Sequence, residues 1–231
     1  MLQASESDRV GPLSRALAPA AGEEVGSART IDRVQRSVFE MLDSAERAHA
    51  ARVRTFSTAV ARMLGLDDST TRAISAAGAL HDVGKVFVPP AILTKTEPLT
   101  RADWVVIRRH PTVGAAALAP AVSRPEVLEI VRAHHERWDG QGYPDRSRGG
   151  DTPLGARIVG VVDAFAAMTE RRCYRRPLGI EEAAAELRTN SGTQFDPDCV
   201  RALERLLFGR RFQPAPEWTA QFVLRRALRA V

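Results

Sequence analysis

The adjacent residues His81 and Asp82, with Lys85 three positions later, are the group in this sequence best suited to chemistry. Imidazole nitrogens and carboxylate oxygens are ligands for borderline divalent metals, and the two oxygens of one carboxylate can bridge two ions. A single His-Asp pair occurs by chance in most chains of this length, so it predicts a metal site only if further ligands join it. The candidates for those ligands are His49, His110, His134, His135 and Asp163.

Each candidate also has an ordinary structural interpretation. A histidine on an apolar helical stripe, such as His49, is more often a hydrogen-bonded core residue than a ligand, and His110 could be a surface histidine favoured by a helix dipole. Asp163 could be capped or paired with a base, and Lys85, one of only two lysines, could be solvated. The ligand interpretation is favoured because two of the chain's five histidines are adjacent at a predicted helix end.

Helical periodicity indicates the elements that must position these residues. Apolar side chains recur at helical spacing in the stretches that carry the candidate ligands, which predicts helices there. The stretches cover residues 30–42, 49–64, 73–82, 100–110, 125–135 and 153–163. Thr30 is the expected N-cap of the first helix, Asp67-Asp68-Ser69 can cap the third, and Thr100 opens a capping box with Asp103.

Helix ends are expected to bring the ligands together. The residue before a proline is pushed away from helical geometry, so His110, which precedes Pro111, is expected at the C-terminal end of its helix. Adjacent helical residues diverge by about 100°, so His134 and His135 can reach one site only near a helix end. Asp163 follows an apolar face, where an unpaired carboxylate would be costly, so it is expected to face a cation or strong donors.

Composition and charge argue against several classes of protein function. The formal net charge is +5, but the residues after position 209 hold five arginines and one glutamate, so the rest is nearly neutral. A nearly neutral body argues against general nucleic-acid binding. The two cysteines, Cys173 and Cys199, match no thiolate metal pattern and favour a reducing compartment. Because no run of about 18 apolar residues exists, we expect no membrane span and a cytoplasmic protein.

Three segments follow from these patterns. Residues 1–29 lack sustained periodicity and are expected to form a disordered or loosely packed arm. Residues 30–208 are expected to form one domain with its own core. Residues 209–231 form a basic amphipathic extension, which is expected to pack on the domain, with pairing to a second subunit in a homodimer or contact with an anionic surface as alternatives.

Several motifs resemble, in order and spacing, those of HD-GYP domains, the all-helical branch of the HD metal-dependent phosphohydrolases that acts on cyclic di-GMP. The matching stretches are His49-Ala50-Ala51-Arg52-Val53, His81-Asp82-Val83-Gly84-Lys85, His110-Pro111, His134-His135-Glu136, Asp139-Gly140-Gln141-Gly142-Tyr143-Pro144, Ala156-Arg157-Ile158 and Gln194-Phe195-Asp196-Pro197. The resemblance covers residues 35–207. It implies an all-α fold, a helical bundle with an embedded metal centre.

The resemblance also implies a division of the ligands. His49, His81, Asp82 and Asp163 would hold one metal, and Asp82, His110, His134 and His135 would hold the second, with the Asp82 carboxylate bridging. Nitrogen and oxygen ligands without sulfur suit iron, manganese or zinc, and iron and manganese are the usual metals of the family. Two metals about 3.5–4 Å apart can activate a bridging hydroxide to attack a phosphodiester. Lys85 would donate to a phosphate oxygen or to the nucleophile, so Asp82 and Lys85 are the predicted catalytic residues.

Two further stretches carry expectations from the family. Arg172, Tyr174 and Arg175 match its substrate-binding stretch, where basic groups grip the phosphates of a cyclic dinucleotide, and ordinary exposed arginines are the alternative. The loop Gly142-Tyr143-Pro144 builds a tight turn whatever its function. In the family the same loop also contacts diguanylate cyclase domains, so it is the predicted interaction loop.

Two departures from the family pattern affect the prediction. Some members carry a glutamate four residues before the first histidine and use it to hold a third metal, but Ala45 occupies that position here. Because the third metal has been associated with complete hydrolysis to GMP, we expect two metals and a reaction that stops at the linear dinucleotide pGpG. Arg171 and Cys173 also replace the common Asp and Pro of the substrate-binding stretch, so substrate affinity or base preference is expected to differ.

Two functions of different classes stay open from the sequence. The first is a cyclic di-GMP phosphodiesterase, favoured by the full ligand set together with Lys85. The second is a cyclic-dinucleotide-binding signalling protein that holds metal structurally and has little or no turnover. Another cyclic dinucleotide or a different nucleotide phosphate is a further alternative as substrate within the enzyme class.

Overall fold

The computed structural model describes residues 28–170 and 176–209, which form ten α-helices and two short 3-10 helices without a β-strand. The helices are α1 Ala28–Met41, α2 Ser44–Met63, α3 Asp68–Leu80, α4 Pro90–Leu93, α5 Arg101–Ile107, α6 His110–Leu118, α7 Pro125–Ala133, α8 Leu154–Thr169, α9 Ile180–Thr189 and α10 Pro197–Phe208, with 3-10 helices at Val83–Phe87 and Gly149–Asp151. The all-α prediction is confirmed. No helix in this part of the chain has the length and apolar character of a membrane span.

The helices α2, α3 and α8 form the centre of the bundle. α2 packs along α3 and against α8, and α7 packs against both α3 and α8. α6 lies on α7 and on the 3-10 helix Val83–Phe87. The largest fully buried apolar side chains of the core are Ile74, Leu80, Leu118, Ile158, Leu187 and Leu203. The helices that carry candidate ligands therefore pack around one core.

Side-chain caps fix where the ligand-bearing helices begin. The Asp43 side chain accepts hydrogen bonds from the backbone N–H groups of Ala45 and Glu46 at the start of α2. The Glu46 side chain accepts from the Asp43 N–H in return, which completes a capping box. Asp67 caps α3 as the sequence predicts. Each such cap stabilises by about 1 kcal/mol relative to alanine, so these helix starts are well determined.

The helix boundary at His110 differs from the prediction. The capping box of Thr100 and Asp103 opens α5 as expected, but this helix ends at Ile107. His110 begins the next helix, α6, instead of ending α5, and Pro111 occupies the first turn. Proline is well tolerated there because its missing N–H would have no intrahelical partner. The predicted helix end at His110 is therefore wrong, and His110 is placed by the start of a helix.

The first helix also begins earlier than predicted. α1 starts at Ala28, so Thr30 lies inside the helix, where its side chain is buried, rather than at the N-cap. Burial against the rest of the bundle outweighs the preference of threonine for a cap. The arm 1–29 and the extension 209–231 lie almost wholly outside the described residues, and the three segment boundaries stay predictions.

Gly84 allows the 3-10 helix after Asp82 to lie directly on α6. A β-carbon at this position would collide with the carbonyl oxygen of His110 and approach the backbone nitrogen of Gly114 to 2.8 Å. Both contacts are with backbone atoms, which cannot turn away as a flexible side chain can. The absence of a side chain at Gly84 therefore sets the spacing between Asp82 and His110, two candidate ligands carried by different elements.

Replacement of Gly84 by alanine is expected to lower the free energy of unfolding by about 3 kcal/mol, because the backbone segments on either side must separate. Denaturant unfolding followed by circular dichroism measures this change. Gly150→Ala is the matched control, since nothing lies within 4 Å of the added carbon and the effect should stay within about 0.5 kcal/mol. A Gly84→Ala protein as stable as the parent would contradict this account of the contact.

Candidate metal centre

Three side chains from three helices form the first group of candidate ligands. His49 lies on α2, His81 follows the last residue of α3, and Asp163 lies on α8. His49 Nε2 is 3.0 Å from Asp163 Oδ1, and His81 Nε2 is 3.8 Å from the same oxygen. Each residue offers one ligand atom, and these atoms lie within 4.8 Å of one another.

The second group lies beside the first and consists of Asp82, His110, His134 and His135, whose ligand atoms also lie within 4.8 Å of one another. His110 opens α6, and the two adjacent histidines follow the last residue of α7. His110 Nε2 and His134 Nε2 are 3.4 Å apart. The adjacent histidines reach one site because α7 ends before them, which removes the angular divergence of neighbouring helical residues.

The Asp82 carboxylate lies between the two groups. Its Oδ2 is 3.2 Å from His81 Nε2 in the first group, and its Oδ1 is 3.2 Å from His110 Nε2 in the second. Lys85 Nζ donates to Oδ2 at 2.6 Å. One carboxylate thus presents an oxygen to each group, which is the arrangement needed to bridge two ions.

Backbone carbonyls orient three of the imidazoles. The Nδ1 atoms of His81, His110 and His134 each lie within 2.9 Å of the carbonyl oxygen three residues earlier in the chain. A carbonyl can only accept, so Nδ1 carries the proton in each ring and Nε2 has the free lone pair. All three rings are buried, and their Nε2 atoms are the candidate ligand atoms.

These residues fit a divalent transition metal. His81 Nε2 is buried and has no hydrogen-bond partner among the described residues, although burying a polar atom without one is costly. A metal ion would satisfy that atom. The donor set of five imidazoles and two carboxylates contains no sulfur, which suits iron, manganese or zinc. The choice of iron or manganese over zinc stays a prediction.

Burial and neighbouring groups shift the pKa values of three imidazoles in the centre. Burial opposes protonation of His49, but the hydrogen bond and charge of Asp163 outweigh it and raise the pKa of His49 to about 9. Burial and the nearby His110 lower the pKa of His135 to about 3. Burial and the nearby His135 likewise lower the pKa of His134 well below its usual range. His134 and His135 are therefore neutral, which is the form of imidazole that binds metal.

The two carboxylates stay ionised although they are largely buried. Burial opposes ionisation of Asp82, but the Lys85 ammonium and the hydrogen bonds with nearby imidazoles outweigh it and hold the pKa of this carboxyl well below its usual range. Burial also opposes ionisation of Asp163, and there the hydrogen bond with His49 outweighs it and lowers the pKa. Both carboxyl groups are therefore anionic at neutral pH, which is the form of a carboxylate that binds metal.

An aromatic stack forms one wall of the centre. The Tyr143 ring lies 4.9 Å from the His135 ring, with 28° between their planes. The Arg108 guanidinium lies 5.4 Å from the centre of the Tyr143 ring and 5.8 Å from that of Trp104, within the range of cation–π attraction. Because Arg108 is exposed, it places positive charge at the mouth of the centre.

The predicted interaction loop, Gly142-Tyr143-Pro144, supports this stack. The Tyr143 N–H donates to the carbonyl oxygen of His135 at 3.2 Å. A β-carbon on Gly142 would lie 2.5 Å from Glu136 Cα and 2.6 Å from the same His135 oxygen, so only glycine lets the loop approach this closely. The loop therefore has a structural role beside a candidate ligand. Its binding of partner proteins stays a prediction.

Two residues beside the centre were missed by the sequence analysis. Glu170, which follows the last residue of α8, places Oε2 2.9 Å from His49 Nδ1. These residues are 121 positions apart, so no local pattern could have indicated their contact. Arg108 was also missed, although its position two residues before His110 was a usable signal.

The stretch predicted to grip phosphates lies outside the described residues. Arg172, Tyr174 and Arg175 all belong to it, and their role in substrate binding stays a prediction. The position associated with a third metal is described, and Ala45 offers no ligand atom there. The neighbouring Glu46 is part of the α2 cap.

Comparison with known proteins relates this chain to one family. A family model described as HD domain matches residues 33–199, which is most of the chain. The chain belongs to the HD domain family. The recognition of HD-GYP motifs in the sequence is confirmed by the match and by the relatives of this HD domain.

Two relatives and one solved structure illustrate the match. The cyclic di-GMP phosphodiesterase response regulator RpfG of Xanthomonas campestris pv. campestris is 38% identical over 208 residues, which cover 88% of this chain and 55% of that protein. The 3'3'-cGAMP-specific phosphodiesterase 2 of Vibrio cholerae serotype O1 is 37% identical over 158 residues, which cover 68% of this chain and 30% of that protein. The matched region therefore spans 55% of the length of the first relative and 30% of the length of the second. An HDG"Y"P protein from Bdellovibrio bacteriovorus is similar in fold, with a TM-score of 0.62 over 87% of this chain and 70% of that chain at 17% identity.

Replacement of the shared carboxylate is expected to affect both metals at once. In Asp82→Ala each group loses an oxygen ligand, so we expect metal content to fall from about two equivalents per chain to well below one. Elemental analysis after anaerobic purification measures it, with circular dichroism as a check on folding. Asp103→Ala is the matched control, since Asp103 pairs with Lys95 at the same 2.6 Å away from the centre. Full metal content in folded Asp82→Ala would refute the bridging role.

Proposed function

We propose that this HD domain is a metal-dependent phosphodiesterase that hydrolyses cyclic di-GMP. The observation that carries the proposal is the position of Asp82, whose two oxygens face His81 in the first group and His110 in the second, each at 3.2 Å. Relatives named as cyclic di-GMP and 3'3'-cGAMP phosphodiesterases support a cyclic dinucleotide as the substrate class.

The residues around Asp82 suit a phosphodiester substrate. Two divalent ions held by the two groups would supply Lewis acidity and an activated water. The Lys85 ammonium, 2.6 Å from Asp82, lies where the two groups meet and can donate to a non-bridging phosphate oxygen. Arg108 adds a second positive charge at the mouth, which complements the two phosphates of a cyclic dinucleotide.

The predicted substrate-binding residues follow a residue of the centre in the sequence. Glu170 contacts His49, and Arg172 comes two positions after Glu170 in the chain. We include Arg172, Tyr174 and Arg175 in the proposal as phosphate-binding residues. Binding of diguanylate cyclase domains through the loop Gly142-Tyr143-Pro144, assembly as a homodimer and location in the cytoplasm stay predictions.

Lys85 offers the sharpest test of turnover. We expect Lys85→Met to lower kcat for cyclic di-GMP by about 100-fold while both metals stay bound, because one donor to the reacting phosphate is lost. Lys95→Met is the matched control, since Lys95 forms an ion pair of the same 2.6 Å length with Asp103 away from the centre. The assay uses anaerobically purified protein loaded with Fe²⁺ or Mn²⁺ and compares cyclic di-GMP with 3'3'-cGAMP.

The outcomes of this assay separate the alternatives. Faster turnover of 3'3'-cGAMP would keep the reaction and change the substrate. Tight binding of both cyclic dinucleotides without turnover, at full metal occupancy, would refute the phosphodiesterase and favour the binding protein.

The product is expected to be pGpG. Ala45 provides no ligand for a third metal and Glu46 is committed to the α2 cap, so the described residues offer ligands for two ions. With two ions the reaction is expected to end after one phosphodiester is cleaved. Chromatography of the products over a full time course tests this, and GMP as the main product of pure protein would contradict it.

A further inference from the structure

We propose that Glu170 is a positioning residue for the first group, where its carboxylate holds His49 as a metal ligand through a hydrogen bond to Nδ1. The proposal rests on the metal-dependent function proposed above, but it concerns metal affinity rather than turnover. In this proposal Glu170 contributes to a difference in metal affinity between the first and the second group.

The two nitrogens of His49 face different partners. Nε2 is 3.0 Å from Asp163 Oδ1, on the side of the first group, whereas Nδ1 is 2.9 Å from Glu170 Oε2. Because a carboxylate accepts, Nδ1–H donates to Glu170, whereas Nε2 faces the first group and would bind a metal once the metal displaces its proton. Glu170 therefore supports the ligand from behind and does not compete for the metal.

The position of His49 in its helix explains why it needs a side-chain acceptor. His81, His110 and His134 donate Nδ1–H to carbonyls in the last turn of a helix, where carbonyls lack intrahelical partners. His49 lies inside α2, where the preceding carbonyls bond to N–H groups four residues later. An acceptor for its Nδ1–H must therefore come from another helix, and Glu170 at the end of α8 provides it.

The Glu170 carboxylate is itself held in place. Arg52, one turn after His49 on α2, has Nε 3.4 Å from Glu170 Oε1, and its Nη1 donates to Thr169 Oγ1 at 3.4 Å. The Glu170 side chain is 19% exposed, so water screens its charge only in part. A neutral carbonyl orients an imidazole, but a carboxylate also makes it a more basic ligand. The first group is therefore expected to bind its metal with a different affinity from the second group.

A purely structural role is the competing explanation, since Glu170 also joins the end of α8 to α2. Loss of a purely structural contact would lower the free energy of unfolding but would not weaken metal binding at one group more than at the other. The matched control is Glu204→Gln, because Glu204 is similarly shielded, with 14% exposure, and pairs with Arg188 on another helix at 2.5 Å. The two roles therefore predict different results in a metal titration.

The experiment is a Mn²⁺ titration of the full chain, with free Mn²⁺ measured by electron paramagnetic resonance. In Glu170→Ala we expect the Kd of one Mn²⁺ to rise about 10- to 100-fold and that of the other to change much less. Glu170→Gln keeps an acceptor for Nδ1–H but loses the charge, so its effect is expected to be smaller in the same direction. Glu204→Gln should match the parent.

Double variants assign the effect to one group. Combined with His49→Ala, the Glu170→Gln substitution should change no Kd, whereas combined with His135→Ala it should weaken the remaining Mn²⁺ as in the single variant. Unchanged Kd values in folded Glu170→Ala, or an effect that persists without His49, would overturn the proposal. If Glu170→Ala does not fold, Glu170→Gln and its double variants decide the outcome. A parent protein that binds two Mn²⁺ but hydrolyses no cyclic dinucleotide would refute the proposed function alone.

Discussion

A largely buried carboxylate, Asp82, shared by the two groups of candidate ligands is the interaction on which the rest of this structure depends. Asp82 is costly to place among buried side chains unless positive charge or a metal lies close by. The Lys85 ammonium meets that requirement on one oxygen, and the imidazoles of His81 and His110 face one oxygen each at 3.2 Å. Because these partners come from the end of α3, the following 3-10 helix and the start of α6, the elements must meet at their ends. The core packs around that meeting point.

Carbonyl groups at helix ends orient three imidazoles of this centre and determine which ring nitrogen is free to bind a metal. The last carbonyls of a helix lack intrahelical partners, and the rings of His81, His110 and His134 donate to such carbonyls at the ends of α3, α5 and α7. The same hydrogen bond leaves Nε2 as the ligand atom. Orientation of three ligands therefore needs no further side chains. His49, inside α2, lacks this arrangement and depends on Glu170 from α8.

Contacts between residues close in sequence could be predicted, and contacts between distant residues could not. The predicted caps at Asp67 and Thr100 are present because a cap involves residues two or three positions apart. His110 was predicted at the C-terminal end of a helix but lies at the start of one. Pro111 is compatible with both positions, since proline can follow a helix end or occupy the first turn of a helix. The Glu170–His49 contact joins residues 121 positions apart, and no periodicity reports such a pairing.

The sequence by itself determined the all-α class, the types of candidate ligand and the membership of the HD domain family, because these depend on local periodicity, donor chemistry and ordered motifs. Only the tertiary structure decided that the oxygens of Asp82 face different groups, that Gly84 brings two elements into backbone contact, and that Glu170 supports His49. Those features depend on distances between side chains of separate helices. Such distances are set by packing of the whole core, which no short stretch of sequence encodes.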